Sequence, residues 1–113
     1  LAQLAEYPAV FPGVNTFTHR IVSTLFEQHR ITPNISMSTN YMETIKMMVS
    51  IGLAWSVLPR SMLDEQVKAL AIPGIQMQRD LGCIWHSGRT RCNAALALIK
   101  LLQQAGDIKG EKA

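Results

Sequence analysis

The histidines and serines carry the side-chain chemistry that catalysis or metal binding would need, but their spacing supports neither. His19 and His29 lie ten residues apart on one predicted helix, with no acidic residue at ligand spacing, so they cannot share a metal ion. His86 and Asp80 are six positions apart on a predicted strand, which is too far for a catalytic dyad. The nucleophile-elbow, phosphate-loop and dinucleotide-binding motifs are absent from the sequence. We therefore expect no enzymatic activity, no metal site and no cofactor.

The two cysteines do not form a recognisable redox or metal motif. Cys83 and Cys92 are nine residues apart, without the CxxC spacing, and two cysteines are too few for a disulfide framework. The pattern favours two buried thiols, and it leaves a redox pair as the alternative.

Charge and hydropathy argue against two further classes of protein. The 113 residues include 11 lysines and arginines against 8 acidic residues, and the one tight basic group, Arg89 with Arg91, has no interleaved aromatic residue. A direct nucleic-acid surface is therefore not favoured.

No apolar run has the length of a membrane span, and no signal peptide precedes Tyr7, so a cytoplasmic protein is expected. Because the chain begins at Leu1 without an initiator methionine, we expect it to be part of a larger protein.

Apolar periodicity then predicts the elements that position the remaining polar side chains. The clearest stretch is STNYMETIKMMVSIGLAWSVLP. Asn40 and Glu43 have the spacing of a reciprocal helix cap, so the helix is predicted to start at Tyr41, and Gly52 supplies the left-handed residue that ends helices. Leu53 to Leu58 follows as a short apolar run, typical of an interior strand in a parallel sheet that is covered on both faces.

The same strand-and-helix unit recurs upstream. Pro8 to Pro12 is a predicted strand, and the turn that follows it opens a helix capped near Asn15 or Thr16. The buried face of this helix is predicted to contain Phe17, Ile21, Val22, Leu25 and Phe26. A second strand is predicted at Ile35 to Ser38, so the order of elements is β-α-β-α-β.

The last third of the chain has weaker signals. They predict a short helix from Arg60 to Lys68, a brief strand from Ala69 to Ile72, a longer strand from Met77 to Ser87 and a final helix from Arg89 to Ala105. The residues from Gly106 onward are polar and are predicted to be a frayed tail.

Three helix starts should lie together at one edge of such a sheet. In open parallel sheets, ligands bind beyond the carboxyl ends of the strands, where helix N-termini present free amides and partial positive charge. Hydroxyl groups at Thr16, Thr18 and Thr39 could bind an oxygen of a carboxylate or phosphate, which predicts a small anionic ligand. The full set of candidate ligand-binding residues is Asn15, Thr16, Phe17, Thr18, Thr39, Asn40 and Arg60.

Each of these residues also has a structural interpretation. Asn15, Thr16 and Asn40 fit helix caps, and for Asn40 with Glu43 the cap is the favoured interpretation. Phe17 fits the core of its helix as well as a ligand contact. Arg60 fits a solvated residue in the first turn of a helix.

Several segments together resemble the effector-binding domain of LysR-type transcriptional regulators. They are YPAVFP with the Gly-Asn-Thr turn after it, METIKMMVSIGLAWSVLP followed by Arg60, IPG, and HSGRTRCNAALALIKLL. The family pattern of a Glu-Thr pair, a Val-x-x-Gly-Leu-Gly stop and a strand ending in Leu-Pro is echoed at Glu43-Thr44, at 49–54 and at Leu58-Pro59. Ala54 replaces the usual glycine, and Trp55 is bulkier than the usual aliphatic residue. The resemblance extends to about Gln104.

The resemblance implies an α/β fold: an open, mostly parallel sheet with flanking helices, similar to one lobe of a type 2 periplasmic-binding-protein-like fold. Residues 1–76 would be the second subdomain of the effector-binding domain. Residues 77–105 would be the return strand and C-terminal helix of the first subdomain, whose remainder is absent, and 106–113 would be the tail. The first turn, at Asn15 to Thr18, has the strongest support from the resemblance, because its counterpart lines the effector cleft.

The implied function is effector sensing. A small molecule would bind between the two lobes, the regulator would form a dimer or higher oligomer, and DNA would be bound only through an N-terminal helix-turn-helix that this chain does not contain. The alternative is a lobe of a solute-binding protein for transport, which shares the bilobal architecture.

If residues 77–105 lack the sheet they usually join, an apolar patch should be exposed and should favour self-association. Its residues would be Leu81, Ile84, Leu96, Ile99 and Leu102.

Overall fold

The chain divides into two compact units in the computed structural model, which describes residues 1–106. The first unit is Leu1–Arg79, and the second begins at Asp80. Of the predicted tail, Gly106 has no regular structure, and residues 107–113 lie outside the described residues.

The first unit is built on a small parallel sheet. Strand β1 (Ala9–Phe11) pairs in parallel with strand β2 (Ile35–Ser38), with Phe11 opposite Ser38. On the other side of β1, Trp55 forms a single parallel bridge with Ala9, in which the amide of Val10 donates to the carbonyl of Trp55 at 3.0 Å. β1 is therefore the central segment of the described sheet. The bounds predicted for β2 are confirmed.

The strand predicted at Leu53 to Leu58 is reduced to that one bridge. The next ladder bond would use the carbonyl of Val10, but the hydroxyl of Ser56 donates to that oxygen instead. The predictions of a strand at 69–72 and of a strand at 77–87 are also wrong, because neither segment has strand structure.

Helix α1 (Phe17–Gln28) begins with the predicted cap at Thr16. It ends in a turn where Arg30 has φ 55°, and the amide of Ile31 donates to the carbonyl of Phe26 at 3.0 Å. This is the helix ending that normally places glycine at the left-handed position. Val22 and Phe26 are buried as predicted, but Phe17 is 56% exposed, so the prediction that it belongs to the helix core is wrong.

Helix α2 (Met42–Ser50) ends as predicted but does not begin as predicted. Gly52 has φ 77°, and the amides of Gly52 and Leu53 donate to the carbonyls of Val49 and Met48, which completes a Schellman ending. At the start, Tyr41 is the N-cap and no side chain caps the helix. The predicted cap by Asn40 with Glu43 is therefore wrong.

Trp55 stabilises the core between the sheet and α1. Its ring stacks on Phe26 at 5.7 Å and meets the edge of Phe11 at 5.2 Å, and its Nε1 donates to the carbonyls of Leu4 and Tyr7. Ala9 and Phe11 are completely buried in this cluster. Because side chains alternate along a strand, Val10 faces the other side of the sheet, where α2 contacts β1.

The remaining helical segments are short or lie in the second unit. Ala2–Glu6 and Arg60–Met62 are 3-10 helices, so the helix predicted over Arg60 to Lys68 is one turn long. In the second unit, helix α3 (Asn93–Ala105) starts four residues later than predicted. Cys83 and Cys92 are both exposed, which contradicts the prediction of buried thiols.

None of the helices within residues 1–106 combines the length and the apolar character that crossing a membrane requires.

Candidate functional site

The loops that follow β1 and β2 are joined directly to each other. The backbone amide of Gly13 donates to Oδ1 of Asn40 at 2.8 Å, and the amide of Thr39 donates to the carbonyl of Phe11 at 3.0 Å. The absence of a side chain at Gly13 permits this approach, since a Cβ there would lie 2.9 Å from Oδ1 of Asn40 and the amide side chain would have to shift. The two strand ends thus form one continuous edge, which we call the carboxyl edge of the sheet.

The hydroxyl of Thr16 holds this edge together. Its hydroxyl donates to the carbonyl of Gly13 at 2.7 Å and accepts from the amide of His19 at 3.2 Å. The ring of His19 supports the same turn, with Nδ1 2.9 Å from the carbonyl oxygen of Pro12. Thr16 therefore acts as the helix cap and joins the end of β1 to the start of α1.

Other polar groups at the carboxyl edge keep unused hydrogen-bonding capacity. Thr39 accepts from the amide of Tyr41 at 3.3 Å, which leaves its hydroxyl proton to donate, and Asn40 uses only its oxygen on Gly13. The amides of Phe17 and Thr18 belong to the first turn of α1, where an amide has no helix carbonyl four residues earlier to donate to. These donors, together with the exposed ring of Phe17, can receive a ligand that has oxygen acceptors and an apolar part.

Two of the predicted ligand-binding residues form no described hydrogen bond with the carboxyl edge. Asn15 is exposed in the turn before α1 and is next to Thr16 in the sequence. Arg60 is exposed in its 3-10 turn, and among the described residues its side chain forms no hydrogen bond or ion pair. The structure therefore brings together the residues of the first two helix starts, whereas it gives Arg60 no contact with them.

Arg79 is at this site although sequence reasoning did not select it. Its Nη1 donates to the hydroxyl of Thr18 at 3.1 Å across 61 residues of sequence. Ser56 and His19 were missed as well, and both hold backbone carbonyls near the ends of the strands. No local pattern indicates these contacts, since each depends on chain segments that meet only after folding.

A cavity of about 610 Å³ lies at the opposite, amino-terminal end of the strands. Its apolar walls include Leu4, Tyr7, Pro8, Trp55, Leu70 and Ile72. None of the seven predicted ligand-binding residues lines it. We favour the carboxyl edge as the functional site because polar donors converge there, whereas the indole N–H of Trp55 is already used by two carbonyls.

The side chains described above at the carboxyl edge are hydroxyls, amides and a guanidinium, which suit binding. Glu43, in the first turn of α2, is the acidic residue there. Within residues 1–106, no group of three or more histidine, cysteine or acidic side chains is placed to hold a metal ion. The N-terminal end of α1 and Arg79 contribute positive charge to the edge, and Glu43 in the first turn of α2 contributes negative charge.

Comparison with known families gives one match that covers almost the whole chain. The family model of the LysR substrate binding domain matches residues 1–107. No curated protein matches the chain.

Proposed function

Because this chain belongs to the LysR substrate-binding domain family, we propose that it is the ligand-sensing part of a LysR-type transcriptional regulator. Domains of this family have a periplasmic-binding-protein-like fold and belong to regulators rather than to enzymes. The small parallel α/β unit around β1 and β2 agrees with that fold.

The proposed effector site is the carboxyl edge of the sheet. The observation that carries it is the hydrogen bond from Gly13 to Asn40, because it holds the loops after β1 and β2 side by side. The free donors of Thr18 and Thr39 and the first amides of α1 then lie at one edge. Since the edge offers hydrogen-bond donors and the partial positive charge of the N-terminal end of α1, the proposed effector is a small anion, bound in the cleft between two lobes.

The proposed division of the chain follows the resemblance. Residues 1–76 form the second subdomain, and residues 77–105 belong to the first subdomain. The regulator is cytoplasmic and works as a dimer or larger oligomer, and its DNA contacts are made by a helix-turn-helix outside this chain. The effector changes DNA binding only if it binds one arrangement of the regulator better than the other.

A compound screen on the full regulator tests this function. Thermal-shift measurements against a panel of small carboxylates, phosphates and their neutral amides should find at least one anionic compound that stabilises the protein. The same compound should change the affinity of the regulator for its DNA. A compound that stabilises the protein while leaving DNA affinity unchanged would favour the solute-binding alternative.

A matched pair of variants tests whether such a compound binds at the carboxyl edge. Thr39→Val removes the hydroxyl at the proposed site, whereas Thr32→Val makes the same change at the other end of β2. We expect Thr39→Val to weaken the stabilisation by the compound and Thr32→Val to leave it unchanged. Equal stabilisation of both variants and the unaltered protein would contradict a role of Thr39 in binding.

A further inference from the structure

Cys83 and Cys92 are both exposed free thiols in the second unit. A buried cysteine packs as a small apolar residue, whereas an exposed thiol can be reached by oxidants and by other thiols. Packing therefore accounts for neither residue, and both are accessible for thiol–disulfide exchange. Whether they react with each other depends on the path of the chain between them.

The chain between the two cysteines reverses direction in a tight turn. The amide of Arg89 donates to the carbonyl of His86 at 3.4 Å, and the amide of Gly88 donates to Nδ1 of the same histidine at 3.0 Å. Together these bonds close the turn. Cys83 lies three residues before His86, and Cys92 lies three residues after Arg89. The two cysteines are therefore equally far along the chain from the turn, one on each arm.

A side-chain contact joins the two arms beyond the turn. The guanidinium carbon of Arg91 lies 4.8 Å from the ring centroid of Trp85, which is a cation–π contact. Trp85 is two residues after Cys83, and Arg91 immediately precedes Cys92. The contact therefore holds the arms together close to both thiols.

The arms can bring the two thiols together without loss of a regular element. Residues 80–92 contain no helix or strand, and α3 begins at Asn93. A disulfide requires the two Cα atoms to lie within about 7 Å of each other, and irregular arms can make that approach without breaking ladder or helix hydrogen bonds. Closing a loop of about ten residues takes about 10–100 ns, which is much faster than thiol–disulfide exchange. Loop closure therefore does not limit the reaction.

We propose that Cys83 and Cys92 form a reversible disulfide with each other, with a small-molecule disulfide such as glutathione disulfide as the oxidant. The thiolate of one cysteine attacks the oxidant, which forms a mixed disulfide and releases one glutathione. The thiolate of the other cysteine then attacks the sulfur of the first, which forms the internal disulfide and releases the second glutathione. The two protons of the protein thiols end on the two released glutathiones, so the protein is oxidised and the oxidant is reduced.

Mass spectrometry of the 113-residue chain treated with glutathione disulfide tests this proposal. At low protein concentration, the expected product is a monomer that has lost the mass of two hydrogen atoms, with a disulfide between the peptides that contain Cys83 and Cys92. A reducing agent should restore the original mass. In Cys83→Ser and in Cys92→Ser, the remaining thiol has no internal partner, so each variant should instead retain one glutathione as a mixed disulfide.

A second pair of variants tests the contact between the arms. In a glutathione redox buffer, Trp85→Leu should lower the equilibrium constant for the internal disulfide by about two- to fivefold, because the cation–π contact is lost. Ile84→Ala is the matched control, since Ile84 is an exposed neighbour of Trp85, and it should leave the constant within about twofold of the unaltered chain. Equal constants for Trp85→Leu and the unaltered chain would overturn the role of the contact.

Three results would overturn the disulfide itself. Two glutathiones retained on the unaltered chain would show that each thiol reacts without meeting the other. Disulfide-linked dimers in place of the oxidised monomer would show that the thiols pair between copies of the chain. An unaltered chain that stays reduced in a buffer that modifies both single variants would exclude the internal bond. None of these results bears on the effector function, which the compound screen on the full regulator decides.

Discussion

The backbone amide of Gly13 donates a hydrogen bond of 2.8 Å to Oδ1 of Asn40, 27 residues later in the chain. This contact joins the end of β1 to the end of β2, and a side chain at position 13 would displace the Asn40 amide from it. Asn40 is therefore a residue that joins two loops, although its spacing to Glu43 is that of a local helix cap.

The first prediction concerns this pair. Gly13→Ala should lower the free energy of unfolding by about 1 kcal/mol, because the Asn40 side chain must move and the bond is lost, and Asn40→Ala should cost a similar amount. Since both changes remove one interaction, the double variant should cost clearly less than the sum of the two. Urea denaturation of the four proteins gives this comparison. Fully additive costs would show that the two residues are not coupled.

The second prediction concerns the end of α1. Arg30 has φ 55°, a conformation in which glycine has no steric cost, so Arg30→Gly should raise the free energy of unfolding by about 1 kcal/mol or less. The gain is limited because glycine also increases the entropy of the unfolded chain. Arg20→Gly, inside the same helix, is the control and should destabilise the protein by about 1 kcal/mol. Destabilisation by both variants would contradict the left-handed conformation of Arg30.

The third prediction concerns pH. The Lys46 ammonium lies 2.6 Å from a carboxylate oxygen of Asp64, and this hydrogen bond, together with one from the amide of Gln66, lowers the pKa of Asp64. A lowered pKa in the folded protein means that the contribution of Asp64 to stability is complete above its ordinary pKa of about 4 and is lost as the pH falls through the lowered value. Asp64→Asn should remove that acid-side part of the stability profile.

The control for the pH prediction is Lys46→Gln. Because Lys46 is the main cause of the lowered pKa, this variant should raise the pKa of Asp64 toward its ordinary value. Titration of the Asp64 carboxyl carbon by nuclear magnetic resonance measures this directly. An unchanged pKa in Lys46→Gln would contradict the ion pair.

The fourth prediction concerns self-association through the second unit. Leu81 and Ile84, two residues of the predicted patch, are 82% and 99% exposed. Leu101, which was not in that prediction, is 61% exposed in the same unit. We expect the 113-residue chain to form dimers or larger species in light-scattering measurements. Ile84→Lys combined with Leu101→Lys should shift it toward the monomer.

Leu70→Lys is the matched control for this prediction. Leu70 is 63% exposed but lies in the first unit, so its substitution adds one lysine, where the double variant adds two, without altering the second unit. It should leave the molar mass unchanged. A chain that stays monomeric at high concentration, with or without these substitutions, would contradict the predicted association.

The local parts of the fold were predictable from the sequence. Thr16 caps α1, Gly52 ends α2, and β2 has its predicted bounds, because caps, glycine turns and apolar periodicity are determined by neighbouring residues. Long-range contacts were not predictable in this way. The amide of Gly13 takes the oxygen that the local pattern assigned to a cap, and the hydroxyl of Ser56 takes the carbonyl that would have continued a third strand.

The same distinction between local and long-range contacts applies to the residues of the candidate site, which remains a proposal. That the starts of the first two helices lie at one edge could be predicted, because helix starts after parallel strands gather there. Arg79 was missed because its contact with Thr18 spans 61 residues, and no pattern in its own segment indicates it. Arg60 was included because it begins a predicted helix, but that helix is one 3-10 turn.

The central claim is that the effector binds at the carboxyl edge of the sheet, and amide chemical-shift mapping with the compound that most stabilises the regulator tests it most directly. We predict that the perturbed amides will lie at Asn15 to Thr18 and at Thr39 and Asn40. Perturbations confined to Leu4, Tyr7 and Trp55 would instead place the ligand in the cavity at the amino-terminal end of the strands. That result would contradict the proposed site.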